Sequence, residues 1–179
     1  MISGQHLADG FFFDSGAVSL DFAHSVLGAP ADLTAWLVER FERVDGEASD
    51  RELADALLLR EAIARVAQAH SVAGVPAAED IDTINLFAAM PDVPPVLDGG
   101  RRQAGAGRVR LGQSLSTVAR DAVELFGRRG AGRIRSCSAE DCELVFYDES
   151  RSNNRRWCSM QRCGNRAKVR AHRARSLAS

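Results

Sequence analysis

All four cysteines of this 179-residue chain lie between Cys137 and Cys163, as two Cys-x4-Cys pairs. Cys137 pairs with Cys142 and Cys158 with Cys163, with fifteen residues between the pairs. Two short thiol knuckles set a strand-turn-strand length apart can close a tetrahedral thiolate site, the geometry that Zn²⁺ takes in structural centres. Four sulfurs would fill the shell and leave no position for a reacting water, so the predicted ion is structural. A redox dithiol pair is the rival reading. Iron-sulfur sites generally use tighter spacings.

Around these cysteines lies a concentration of positive charge. Residues 1–127 hold ten Arg and no Lys against nineteen acids, a balance of −9; residues 128–179 hold thirteen Lys plus Arg against five acids, a balance of +8. The two sum to the formal −1 of the whole chain. The basic end is where an anionic partner would bind, and the acidic body is itself an internal candidate for that partner. From Gly164 onward the sequence turns strongly helix-forming. In a helix starting near Asn165, Arg166, Arg170 and Arg173 share a face at i, i+4 and i+7, and Lys168 and Arg175 form a second stripe. Ala167, Ala171 and Ala174 keep the surface between them shallow. Arg151, Arg155 and Arg156 extend the basic surface through the preceding turn. These eight residues are the candidate nucleic-acid contacts, to phosphate above all, since Arg offers a bidentate fork to that group. Asn165 reads as an N-cap before it reads as an adenine contact. Trp157 reads as core before it reads as a base-stacking platform, and His172 as an exposed helix residue.

The elements that must position this site divide in two. Phe11-Phe12-Phe13 with Asp14-Ser15-Gly16 predicts a short strand and turn, and Val18 to Val26 an apolar helical segment ending near Pro30. Leu33, Trp36, Leu37, Arg40, Phe41 and Val44 follow a helical period, with Asp32 at its start. Ser49-Asp50-Arg51-Glu52 is a capping box opening a long helix to about Val72. Ile81, Ile84 and Phe87 mark another helix behind Pro76. Val96-Leu97-Asp98 and Arg108 to Leu111 predict a hairpin around an exposed loop, Gly99 to Gly107. A last body helix runs from about Ser114 to Phe126. Composition, charge and glycine content change together at 128–132, which predicts a linker between a helical domain (1–127) and a small module (133–179). Within the module, knuckle, hairpin, knuckle and helix is a treble-clef-like order. About fifty residues bury too little apolar surface to fold unaided, so a metal would carry much of that stability. The expected fold is a mainly α N-terminal domain with a short β-hairpin, followed by a small α+β zinc finger.

Arg155-Arg156-Trp157-Cys158-Ser159-Met160 and Cys163-Gly164-Asn165-Arg166-Ala167-Lys168 resemble the signature of the bacterial CGNR zinc-finger family. Leu20-Asp21-Phe22-Ala23 resembles the start of the ABATE domain that precedes the finger in that family. His24-Ser25 stands here where the family usually reads Asn-Thr. The resemblance implies a stress-response transcription regulator whose finger binds DNA.

No Gly-x-Ser-x-Gly, no His-Glu-x-x-His and no phosphate-cradling glycine loop occurs, so no catalytic residues are assigned. Asp21, His24 and His70 could meet in space but are a weak constellation for a hydrolase-like reading. Phe22, His24 and Trp36 are the guessed lining of a small-molecule effector pocket in the helical body. No run of about eighteen apolar residues predicts a membrane span. The first fourteen residues lack the basic-then-apolar pattern of a secretion signal. The expected compartment is reducing and cytoplasmic, which favours thiolates on metal. An adaptor docking its basic helix on an acidic protein or RNA is the alternative to a DNA-binding regulator.

Overall fold

The structure is a computed structural model and describes residues 5–6, 12–42, 44, 46–95, 97, 109–130 and 132–177. Two short strands open it, β1 (Gln5–His6) and β2 (Phe12–Phe13), paired antiparallel. Phe11 and the loop 99–107 lie outside the described residues.

Helix α1 (Val18–Ala23) is brief, and its first turn is tied to the body where the Asp121 carboxylate accepts from Ser19 N at 2.8 Å. Helix α2 (Pro30–Arg40) starts on a proline, whose missing N–H costs nothing there. Asp32 reaches back to accept from Gly28 N and Ala29 N at 2.9 and 2.8 Å. Helix α3 (Asp50–Ser71) opens with the predicted box, Glu52 accepting from Ser49 N at 2.9 Å and Ser49 Oγ from Glu52 N at 3.3 Å. Helices α4 (Ala78–Ala88) and α5 (Leu111–Glu124) complete the body. The helical stripes converge on one core that includes Phe22, Leu33, Leu37, Leu59, Ile63, Leu115 and Val118, all buried.

Val96, Asp98 and Arg108, which carry most of the predicted 96–111 hairpin, lie outside the described residues. Its described end does not continue as a strand, because Val109 makes a single parallel bridge to Val44 and Leu111 already begins α5. Gln113 explains the early start: its side chain accepts from Arg110 N at 3.0 Å and satisfies a donor of the first turn.

The last turn of α5 widens over Leu125–Arg129, and the chain then enters β3 (Ile134–Ser136), antiparallel to β4 (Val145–Tyr147). Gly130 is buried, and a Cβ there would sit 2.1 Å from the Leu125 carbonyl oxygen. Close approach of two backbones explains this glycine. Across the 128–132 stretch runs a second apolar cluster: Leu20 and Ala67 from the body, Leu125, and Ile134, Val145 and Tyr147 from the hairpin. Tyr147 N donates to Ser15 O at 2.8 Å, and the Ser71 and Ser136 hydroxyls lie 2.7 Å apart. Body and cysteine module therefore share a packed seam. The chain ends in α6 (Asn165–Leu177).

Candidate metal centre

The first cysteine pair occupies the turn of the β3–β4 hairpin. Cys137 N donates to Leu144 O at 2.9 Å and Cys142 N to Ala139 O at 3.1 Å, which folds the knuckle back on itself. The sequence pattern suggests that the strand after this pair runs into the second knuckle as a hairpin. Instead its partner is β3, upstream of the cysteines. The return segment 148–157 is held by a carboxylate in place of a ladder. Buried Asp148 accepts from Ser150 N at 2.9 Å and from Arg155 N at 2.8 Å, bonds that keep its carboxyl below the usual range despite the upward push of burial.

That return brings the second pair onto the first. The four Sγ atoms lie within 4.8 Å of one another, with Cys142–Cys158 at 3.7 Å and Cys158–Cys163 at 3.5 Å. Four sulfurs about 2.3 Å from a central Zn²⁺ stand ~3.8 Å apart along a tetrahedron's edges, so the donor set fits that ion. Cys137, Cys158 and Cys163 are buried and Cys142 is half-buried, packed with Phe13, Phe146 and Trp157. In such surroundings thiols resist ionising. Burial, then the neighbouring thiols, push Cys158 far up, and burial drives Cys142 to about 11. Cys137 goes down despite its burial, held by the backbone N–H of Cys158 and of Ala139. A divalent ion supplies the positive charge that lets four adjacent thiolates persist.

The residues after Cys163 belong to the same construction. A Cβ on Gly164 would meet Met160 Sδ at 2.6 Å and the Trp157 ring at 3.3 Å, so the bare glycine lets the chain pass under both side chains. Asn165 uses its amide to donate to Gln161 O at 3.3 Å. Arg166 donates one guanidinium nitrogen to Cys163 Sγ at 3.1 Å and another to Asp141 Oδ2 at 2.9 Å. Arg170 reaches the same carboxylate oxygen at 3.2 Å. Against a desolvation that pushes it up, its own N–H and these two guanidiniums hold the Asp141 carboxyl below its ordinary range.

The candidate nucleic-acid residues thus fall into two groups. Arg155 is engaged internally: it donates to Trp157 O at 3.0 Å and to Cys158 O, and its guanidinium lies 4.4 Å over the Phe146 ring. Arg166 and Arg170 bind Asp141. Arg151, Arg156, Lys168, Arg173 and Arg175 are exposed, Arg156 lying 5.0 Å over Trp157, as is His172. Helix α6 is solvent-exposed from Lys168 through Ser176.

The guessed effector residues separate. Phe22 and Trp36 are buried in the core, where their rings meet edge to face at 4.9 Å. His24 lies at the seam, its Nε2 2.8 Å from Val145 O and 3.2 Å from Val145 N, donating in one tautomer and accepting in the other. Burial lowers its pKa, and the Val145 bond offsets part of that. It lines a cleft of about 670 Å³ with Gln68 of α3 and Ser136, Cys142 and Glu143 of the finger. Asp21, His24 and His70 each have separate partners: Asp21 accepts from Ser15 Oγ at 2.6 Å, and His70 stacks on Phe126 at 5.3 Å. Asp141 and Asp148 are the site residues that sequence reasoning missed. Their only signal is an acid placed inside an otherwise basic module.

A mainly helical body, a two-stranded antiparallel hairpin and a four-cysteine cluster leading into a basic helix define a zinc-finger protein. Residues 133–176 match the CGNR zinc finger, and residues 16–129 match ABATE, described as "putative stress-induced transcription regulator". The chain belongs to the ABATE family, which bears that description, and carries a C-terminal CGNR zinc finger. No curated protein matches the chain. No helix among the described residues is long and apolar enough to cross a membrane.

Proposed function

We propose that this protein regulates transcription by binding DNA through α6 and the adjoining return segment, with Cys137, Cys142, Cys158 and Cys163 holding Zn²⁺. In this reading residues 1–127 form the regulatory domain, 133–179 the finger, and 128–132 the connection. The observation that carries it is the exposed helix bearing Lys168, Arg170, Arg173 and Arg175, rooted at Cys163 in the thiol cluster. Long cations on a helix fixed at one end lose less freedom on meeting a phosphate ladder than the same residues on a loose tail. The helical domain is the sensing part. Its candidate effector site is the His24 cleft, where one molecule would touch both α3 and the first knuckle.

The test is a mobility shift of the zinc-loaded full chain on random-sequence duplex DNA, from 50 to 300 mM salt. Affinity should fall by about 0.9 log unit per log of salt for each phosphate engaged. It should be lost with a chelator and weakened in the K168A/R173A double variant. Absence of a shift at 50 mM salt, or a shift indifferent to the chelator, rejects the reading.

A further inference from the structure

Asp141 occupies the place between two arginines where a phosphate would be expected. Its Oδ2 lies 2.9 Å from Arg166 Nη1 and 3.2 Å from Arg170 Nη2, so one carboxylate oxygen meets two guanidiniums at once. The arrangement is local to the finger: Asp141 is in the first knuckle, and the arginines are on α6. All three side chains are substantially exposed, at 45% for Asp141, 39% for Arg166 and 54% for Arg170. Ion pairs in such surroundings are weak and exchange with solvent anions. Arg166 has a second duty, since its other guanidinium nitrogen serves Cys163 Sγ. With 100° between successive residues of a helix, Arg166 and Arg170 share one side of α6, and Lys168 and His172 lie well round the cylinder from them.

The geometry points to Asp141 as an internal competitor of polyanion oxygens, a residue that sets the affinity of this finger by closing the Arg166/Arg170 side of α6. This inference rests on the proposed polyanion-binding role of the helix, and it assigns the working face to the opposite side of α6, where Lys168 lies. A phosphate or sulfate oxygen approaching Arg170 must displace the carboxylate and also meets its negative charge. One approaching Lys168 from the other side meets neither obstacle.

The experiment uses the zinc-loaded full chain, with the wild type compared against D141N, R170A, K168A, the D141N/R170A pair, and E79Q. Glu79 is exposed on α4, so E79Q makes the same change in net charge on the body. Elution salt from immobilised heparin and titration of random-sequence duplex DNA are read side by side, with zinc content checked for each variant. D141N should bind on the order of three- to tenfold tighter than E79Q at 50 mM salt, with a salt slope steeper by about 0.9 for one added phosphate. R170A should cost the wild type much less than K168A does, yet cancel the gain in D141N. Equal behaviour of D141N and E79Q overturns the inference. So does an R170A loss as large as that of K168A, a comparison that stands even if D141N fails to retain zinc. If the pattern holds on heparin while no variant binds DNA, Asp141 keeps its role and the DNA-binding reading falls.

Discussion

Truncating Leu20 to alanine tests the seam between body and finger. Leu20 is fully buried on α1, in the cluster that contains Ile134, Val145 and Tyr147 of the hairpin. Removing a buried leucine side chain loses its transfer free energy and leaves a cavity, together about 3 kcal/mol at a site walled on all sides. A 179-residue chain unfolds with an entropy near 0.38 kcal/mol/K, so that loss lowers Tm by about 8 °C. Leu20 is more than a hundred residues from Cys137, and a finger folding as a separate unit would not feel it. With a shared core, helix melting and metal release become one transition. The assay follows far-UV circular dichroism of the helices and zinc release to a metallochromic chelator on the same thermal ramp. Both should coincide in the wild type and both should move down together in L20A. Zinc release that stays at the wild-type temperature while the helices melt early would refute the reasoning and make 128–132 a boundary between independently melting units.

Three further outcomes follow from the same contacts. G130A should cost about 3 kcal/mol because its Cβ would collide with the Leu125 carbonyl. G132A, at φ +71 with open space around it, should cost only about 1 kcal/mol by denaturant titration, and equal costs would contradict the close-approach account. His24 has a folded pKa below its unfolded value of 6.5, so the unfolded chain takes up the proton first. Its contribution is complete above pH 6.5 and is lost as pH falls toward the folded pKa, and H24Q should flatten the decline in urea midpoint between pH 7.5 and 5.5 relative to wild type. C158S should abolish stoichiometric zinc by elemental analysis and lower the Tm of the body helices as well, since the cluster and the seam are joined through β4.

Much of this architecture could be read from local pattern. The Ser49–Glu52 box, the stripes of α2 and α3, and the basic terminal helix depend on interactions between residues three or four apart, which sequence spacing encodes directly. The metal centre was legible for a related reason: thiols confined to two knuckles have few other uses, and the fold brings all four together. Spacing could not say which partner β4 would take. That choice depends on Asp148, whose buried carboxylate makes 148–157 a stapled turn and leaves the strand to pair with β3.

Amino-acid order alone determined the acidic-then-basic division, the helical periods and the donor atoms of the cluster, because each is a property of composition or of near neighbours. Tertiary structure decided which charges remain available. Arg166 and Arg170 share a predicted binding face with Arg173, yet both turn to a carboxylate twenty-five or more residues away in the chain. Phe22 and Trp36, guessed as pocket lining, bury their rings against each other, while His24 two residues on emerges at the seam. An ion pair or a packed ring is made by whatever the fold brings within a few ångströms, and a periodicity contains no information about that distance.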